Sequence, residues 1–449
     1  LMMISSMFAS ARNVWLVPVM LVSLAACDTF DFLGGSDDAP LPGERIAVLQ
    51  AQDRITPSSQ VADLSIRLPR PQINENWPQQ GGFANHAMHH LALAVDPQEV
   101  WARSVGDGGD DDAPILSGPV VANGLVFTMD SDAVVTARRA DNGETVWSAD
   151  IEPEDEDDGN WGGGVVYDLG RIYAGTGFAQ VVALDAATGR EFWRTPVSGP
   201  MRSAPTAFGG KVYALTKDNQ LFAIDAELGV VDWTHTGIEE GAGLIGSASA
   251  AVDGDIVIVP YSSGEIFALR AENGRQLWSD NLAAIRRVDA VSALADIRGR
   301  PVVDRGRVYA ISHSGRMVAI DLASGRRAWE AEVGGVNQPW IAGDFLFVVS
   351  TEGDVVALVA ENGLVRWVTP LGQFEDPEDR EGLINWSGPV LASDRLIVTG
   401  SHGVAVALSP YTGEIIGEIE MPDDVSLPPI LADETLYFQT DGARLIAYR

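Results

Sequence analysis

Across 449 residues there is a single cysteine, Cys27. An internal disulfide, a Cys-x-x-Cys redox pair and a cysteine-rich zinc site are therefore excluded together. Positive charge is also scarce: 30 Lys and Arg stand against 63 Asp and Glu, a net charge of -33. Such a surface repels phosphate backbones and anionic headgroups, which argues against nucleic acid as a partner. A Gly-x-Ser-x-Gly elbow, a P-loop and a dinucleotide-binding glycine fingerprint are missing. The long 3.6-residue periodicity of stacked helices is missing too.

What is present begins with an apolar stretch over residues 13–26, preceded by the lone charge Arg12. It is too short for a comfortable membrane span and reads as a signal peptide. The stretch closes Leu24-Ala25-Ala26-Cys27, which resembles the lipobox of bacterial lipoproteins. That resemblance implies cleavage before Cys27, lipid on its thiol and attachment to a membrane. Asp28 follows directly, and in enteric bacteria an Asp there resembles an inner-membrane retention signal, so the choice of membrane stays open. Residues 27–75 are rich in Asp, Gly, Pro and Ser and read as a flexible tether, with a short strand expected over Glu44–Leu49. The acidic runs Asp110–Asp112 and Glu154–Asp158 lie between apolar segments and read as solvated loops. Consecutive carboxylates suit the alternating ligand geometry of a calcium loop poorly.

From residue 119 one phrase recurs: two short alternating apolar stretches, a Gly-anchored turn, then a tryptophan. Such units read as strand, turn, strand, turn. The anchoring glycine returns at Gly143, Gly189, Gly229, Gly274, Gly325, Gly363 and Gly413, at spacings of 38 to 51 residues. Four residues beyond the first six stand Trp147, Trp193, Trp233, Trp278, Trp329 and Trp367; beyond the seventh stands Gly417. A repeat of about 45 residues is the length of a four-stranded propeller blade. An eighth copy, from Pro429, stops at Tyr448-Arg449, before its glycine and tryptophan. The missing outer strand matches residues 100–106, which carry Trp101 where the other copies carry theirs. The expected fold is thus all-β: an eight-bladed β-propeller of four-stranded antiparallel blades spanning residues 76–449, closed by pairing of the N-terminal strand with the C-terminal blade.

The phrase Ala183-Leu184-Asp185-Ala186-Ala187-Thr188-Gly189-Arg190-Glu191-Phe192-Trp193 resembles the tryptophan-docking repeat of quinoprotein-like propellers. In that superfamily each tryptophan packs on the neighbouring blade, so the resemblance implies blade-docking roles for Trp101, Trp147, Trp193, Trp233, Trp278, Trp329 and Trp367. A lipoprotein signal followed by eight blades and no second domain resembles the BamB family, lipoprotein subunits of the outer-membrane β-barrel assembly machinery. The resemblance implies a non-enzymatic scaffold on the periplasmic side of the outer membrane. Its partners would be the POTRA domains of a BamA-like barrel-forming subunit, unfolded outer-membrane proteins as clients, and the membrane through the lipid. It also implies contact through inter-blade loops. Met201 and Arg202 fall on the family's apolar and basic loop positions, and Asp296 on the first acid of a second loop, where Arg298 replaces the second acid.

Two other readings set the alternatives. A quinone-dependent dehydrogenase resembles the chain in the same repeat and in Trp77-Pro78-Gln79-Gln80-Gly81-Gly82, but the adjacent cysteine pair typical of those enzymes is missing. Another lipoprotein adaptor or a polysaccharide-binding propeller would share the architecture. No cofactor is expected. His86, His89 and His90 form the only cluster of candidate metal ligands, without a carboxylate within several residues. His235, His313 and His402 are isolated and read as turn or core residues.

Overall fold

The computed structural model describes residues 55–109, 115–154, 160, 162–240, 244, 246–283 and 296–449. Cys27, Asp28, the signal segment, the strand expected over 44–49 and both acidic runs, apart from Glu154, lie outside them. The repeated phrase folds as the alternation requires. In the fifth copy Val302–Asp304, Arg307–Ser312, Arg316–Asp321 and Arg327–Ala331 pair antiparallel in chain order. Arg305 and Gly306 both hold positive φ, 47° and 75°, the geometry of a two-residue hairpin turn whose twist matches its strands. Eight four-stranded sheets of this kind occupy residues 120–150, 163–196, 206–236, 251–281, 302–331, 340–370, 386–420 and 430–448, and are numbered here blades 1 to 8. The eighth borrows its outer strand, Glu99–Ser104, which pairs with Arg444–Tyr448.

Each outer-strand tryptophan faces an alanine on the third strand of its own blade, Ala183 opposite Trp193 and Ala319 opposite Trp329, with a bulge just beyond the pair. The small partner leaves the indole free to lean onto the next blade. There its Nε1–H donates to the carbonyl three residues before the anchoring glycine: Trp101 to Ala140, Trp147 to Ala186, Trp193 to Ala226, Trp233 to Ala271, Trp278 to Leu322, Trp329 to Ala360 and Trp367 to Pro410. The indole face lies on the glycine itself. A Cβ on Gly189 would sit 2.5 Å from Cε3 of Trp147, and φ there is +73°. Glycine is therefore required twice, for the left-handed backbone and for the contact. Removing such a buried indole typically costs about 3–5 kcal/mol.

Ring closure explains the one tryptophan that the repeat lacks. Trp101 docks on Ala140 and Gly143, so blade 8 meets blade 1 as every other blade meets its successor. Blade 8, however, takes its outer strand from Glu99–Ser104, so among the described residues no glycine turn joins its third strand to its outer one. A tryptophan on blade 7 would find no glycine turn to dock on. Gly417 stands there, on an outer strand, Ile415–Glu420, that is exposed along its whole length.

Residues 74–91 thread around the ring axis and bond to the innermost strand of every blade in turn. Asn74 O accepts from Asp433 N of blade 8, and Trp77 exchanges both backbone bonds with Val121 of blade 1. Pro78 O accepts from Tyr167 N of blade 2, and the Gln79 amide makes both bonds to the Ala207 backbone of blade 3. Ala84 O and Asn85 O take the N–H groups of Val252 and Val303, in blades 4 and 5. His89 O accepts from Trp340 Nε1 of blade 6, and Leu91 bonds to blade 7 through Leu391 and Ser393. Innermost strands otherwise leave backbone groups unpaired at the axis, and this collar satisfies them.

Residues 55–75, assigned to a tether above, belong to the compact unit. Within this stretch Ser58 N bonds to Val365 O, Leu64 O accepts from Arg366, and Val61 and Ile66 are buried against the propeller. The compact unit runs from Ile55 to Arg449. Two apolar side chains spaced along a polar segment suffice to hold it, and composition averages hide them.

Candidate partner-binding face

The loops that lead from the outer strand of one blade to the inner strand of the next gather on one face. Three of them, after blades 2, 3 and 4, carry the residues singled out above. Met201 does not present an apolar anchor. It is 0% exposed, its N–H bonds to Thr176 O, and its thioether lies on Gly175, where a Cβ would sit 2.6 Å from Sδ. The slot left by Gly175 draws the side chain into the core between blades 2 and 3, beside Val166, Tyr173 and Val181.

Arg202 is half-buried and reaches from Nη1 to Leu244 O at 3.5 Å, while its own carbonyl accepts from Ser247 N at 3.2 Å. Asp296 is buried at 3% exposure, so it is not a rim acid either. Its Oδ2 accepts from Leu244 N at 3.0 Å, and its backbone carbonyl accepts from His313 N. Burial pushes its carboxyl up to about 6, against the opposing pull of the Leu244 N–H and the charges of Arg298 and Arg202. Arg298 thus has a physical reason to stand where the resemblance leads one to expect a second acid. Its guanidinium packs over Gly246, and a carboxylate there would add a second negative charge beside a buried one.

The network stitches three loops together: Arg202 holds Leu244 by its carbonyl, and Asp296 holds it by its N–H. Leu244 had no sequence signal beyond lying in a glycine-rich loop. Ile238 was also missed. It is 59% exposed, yet Glu265 accepts its N–H at 2.9 Å and Asn219 donates to its carbonyl. An exposed apolar side chain on a pinned backbone, followed by the exposed acids Glu239 and Glu240, is what a protein-binding rim presents. The only sequence sign was one apolar residue between a glycine and two acids.

The seven tryptophans all lie between blades, with the bonds given above. The histidines do not converge. His86 Nδ1 meets Pro301 O at 2.7 Å, and His89 faces Asp304 at 3.5 Å. His90 donates from Nδ1 to Pro69 O and accepts Asp394 N–H on Nε2. Burial brings the His86 imidazole down to about 3, so it is neutral at physiological pH. Among the described residues, no group of three or more His, Cys, Asp or Glu gathers at metal-binding distance.

Eight tryptophan-docked blades closed across the chain ends define a quinoprotein-like β-propeller. The chain belongs to the outer membrane protein assembly factor BamB family, whose model matches residues 131–369. It is 27% identical to the factor of that name from Yersinia pestis over 358 residues, 78% of this chain and 88% of that one. Identity to the Escherichia coli (strain K12) protein is also 27%, over 354 residues, with coverages of 77% and 87%. The crystal structure of BamB from Moraxella catarrhalis superposes with a TM-score of 0.68 at 22% identity, covering 79% of this chain and all of that one. A quinohemoprotein alcohol dehydrogenase from Pseudomonas putida HK5 reaches 0.65 at 13% identity, covering 84% and 80%. Likenesses that distant show the architecture alone.

Proposed function

We propose that the chain is a non-enzymatic scaffold of the outer-membrane protein assembly complex, held on the periplasmic side of the outer membrane by lipid on Cys27. Its loop rim engages the POTRA domains of a BamA-like barrel-forming subunit and so aids the folding and insertion of β-barrel clients. The observation that carries this reading is the stitched rim: Arg202, Leu244 and Asp296 tie three loops together, and Ile238, in the same inter-blade loop as Leu244, stands exposed on a pinned backbone. A rigid surface with an apolar anchor and a guanidinium fork loses little entropy on binding. The axial cavity, about 80 Å³, is far below the roughly 300 Å³ or more of a cofactor-sized site.

Binding of purified chain to purified POTRA domains tests the assignment. Arg202→Glu and Ile238→Asp are expected each to weaken it at least tenfold, whereas Met201→Leu, buried and similar in volume, leaves it unchanged. Full affinity in both surface variants would move the interface to another face. Incorporation of labelled fatty acid into wild type and its loss in Cys27→Ser tests the anchor.

A further inference from the structure

The collar closes the ring axis on one side and leaves a blind cup on the other, floored by Gln80 and Gly81 and walled by the loops before the inner strands. The chain has about half as many cationic as anionic side chains, yet the cup reverses that balance. Arg298 and Arg300 both line it, and among the described residues lining it there is no Asp or Glu. The Arg300 Nε–H is buried and meets no acceptor. The Nε1–H of Trp77, which also lines the cup, is likewise buried without an acceptor, whereas other polar groups of the floor and far wall are already spent. Gln80 makes both of its amide bonds to the Gly118 backbone, Asn337 donates to Trp386 O, and Ser426 donates to Asp441. Asp296 offsets the charge of Arg298. Among the described residues the charge acting on Arg300 is the like charge of Arg298, and burial, with that neighbour, pulls its guanidinium down to about 10. A half-buried cation whose buried N–H meets no acceptor is costly, and the usual relief is an anion. The cup's volume of about 80 Å³ matches two or three waters at roughly 30 Å³ each, which is the size of one small oxyanion.

We propose that the axial cup is an oxyanion-binding site, in which Arg298 and Arg300 take a phosphate-sized or carboxylate ligand by charge-assisted hydrogen bonds, with Ser247 on the wall beside them. Planar guanidinium forks suit both ligands, and the small volume excludes a fused-ring cofactor. The site requires no partner protein, so it stands or falls separately from the scaffold role.

The test is calorimetric titration of the full chain with inorganic phosphate and with acetate, at ionic strength held constant with sodium chloride. Saturable one-to-one binding of at least one is expected, at least tenfold weaker in Arg300→Gln and in Arg298→Gln and unchanged in Arg305→Gln, whose side chain is 56% exposed. Whichever of the two binds tighter identifies the source as a phosphate or a carboxylate. A second measurement uses wild-type protein alone: phenylglyoxal labelling of the peptide carrying Arg298 and Arg300 is expected to slow when the bound anion is present. No saturable heat with either anion, or equal affinity in Arg300→Gln with equal labelling rates, overturns the proposal.

Discussion

Replacing Gly189 with alanine separates the two requirements the fold places on its anchoring glycines. The added Cβ would lie 2.5 Å from Cε3 of Trp147, at a φ of +73°. The left-handed backbone alone costs an alanine about 1–2 kcal/mol. The indole cannot stay in place, and overpacking of this kind adds about 1–3 kcal/mol. Displacing it also strains the 3.0 Å bond from Trp147 Nε1 to Ala186 O, with about 1 kcal/mol at stake. A total of about 3–6 kcal/mol is expected. Gly170 is the internal control: in the same blade its φ is +85°, and nothing lies within 4 Å of its Cβ position, so Gly170→Ala carries only the backbone cost. Urea unfolding read by tryptophan fluorescence and circular dichroism measures both. The account further requires that in a Trp147→Ala background, where the indole is gone, Gly189→Ala falls to the cost of Gly170→Ala. Equal costs for the two glycine variants in the wild-type background, or full additivity with Trp147→Ala, would refute the docking argument.

Three further outcomes follow from the same structure. Gly417→Trp is expected to change stability by less than about 1 kcal/mol, because blade 8 offers no turn to receive it; a gain comparable to the cost of Trp329→Ala would contradict the closure argument. Asp296, pushed up from 3.8 to about 6, is largely neutral in both states at pH 3 and costs the folded state stability as pH rises from about 3.8 to 6, with no further loss above that. Asp296→Asn should therefore remove a loss of about 2 kcal/mol otherwise seen between pH 4 and pH 7, read from urea midpoints. His86 has the opposite sign: the unfolded chain protonates it first as pH falls below 6.5, so stability drops on acidification. His86→Asn, which tolerates the φ of 61° found there, should lessen that acid loss by about 3 kcal/mol at pH 4; an unchanged acid limb would show that His86 is not held neutral.

The blade count, the antiparallel order and the closure were legible because each has a local signature at a fixed offset. A left-handed turn demands glycine, and the indole of the preceding blade must lie on it, so a glycine and a tryptophan four residues on, as at Gly189 and Trp193, repeat through the chain. The match between residues 100–106 and the outer strands gave the closing partner for the same reason. The collar left no such trace. It bonds mostly through backbone carbonyls at Pro78, Ala84, Asn85 and His89, which any residue supplies, in a segment whose composition resembles a tether. The rim was half legible. Arg202 lies on it, whereas Met201 and Asp296 turn inward, because the slot over Gly175 and the Leu244 N–H are made by residues distant in sequence. A loop motif shows that a residue type is required, not which way it faces. Arg298 read as a departure in an acidic loop, and Arg300 carried no sequence signal, until the cup placed them together.

The central claim is membership of an assembly complex, and purification of the affinity-tagged full chain from membranes in mild detergent tests it most directly. The account predicts a barrel-forming outer-membrane subunit recovered with it, retained in Met201→Leu and depleted in Arg202→Glu. Recovery of the chain without that subunit from membranes that contain it would contradict the account, leaving only the propeller.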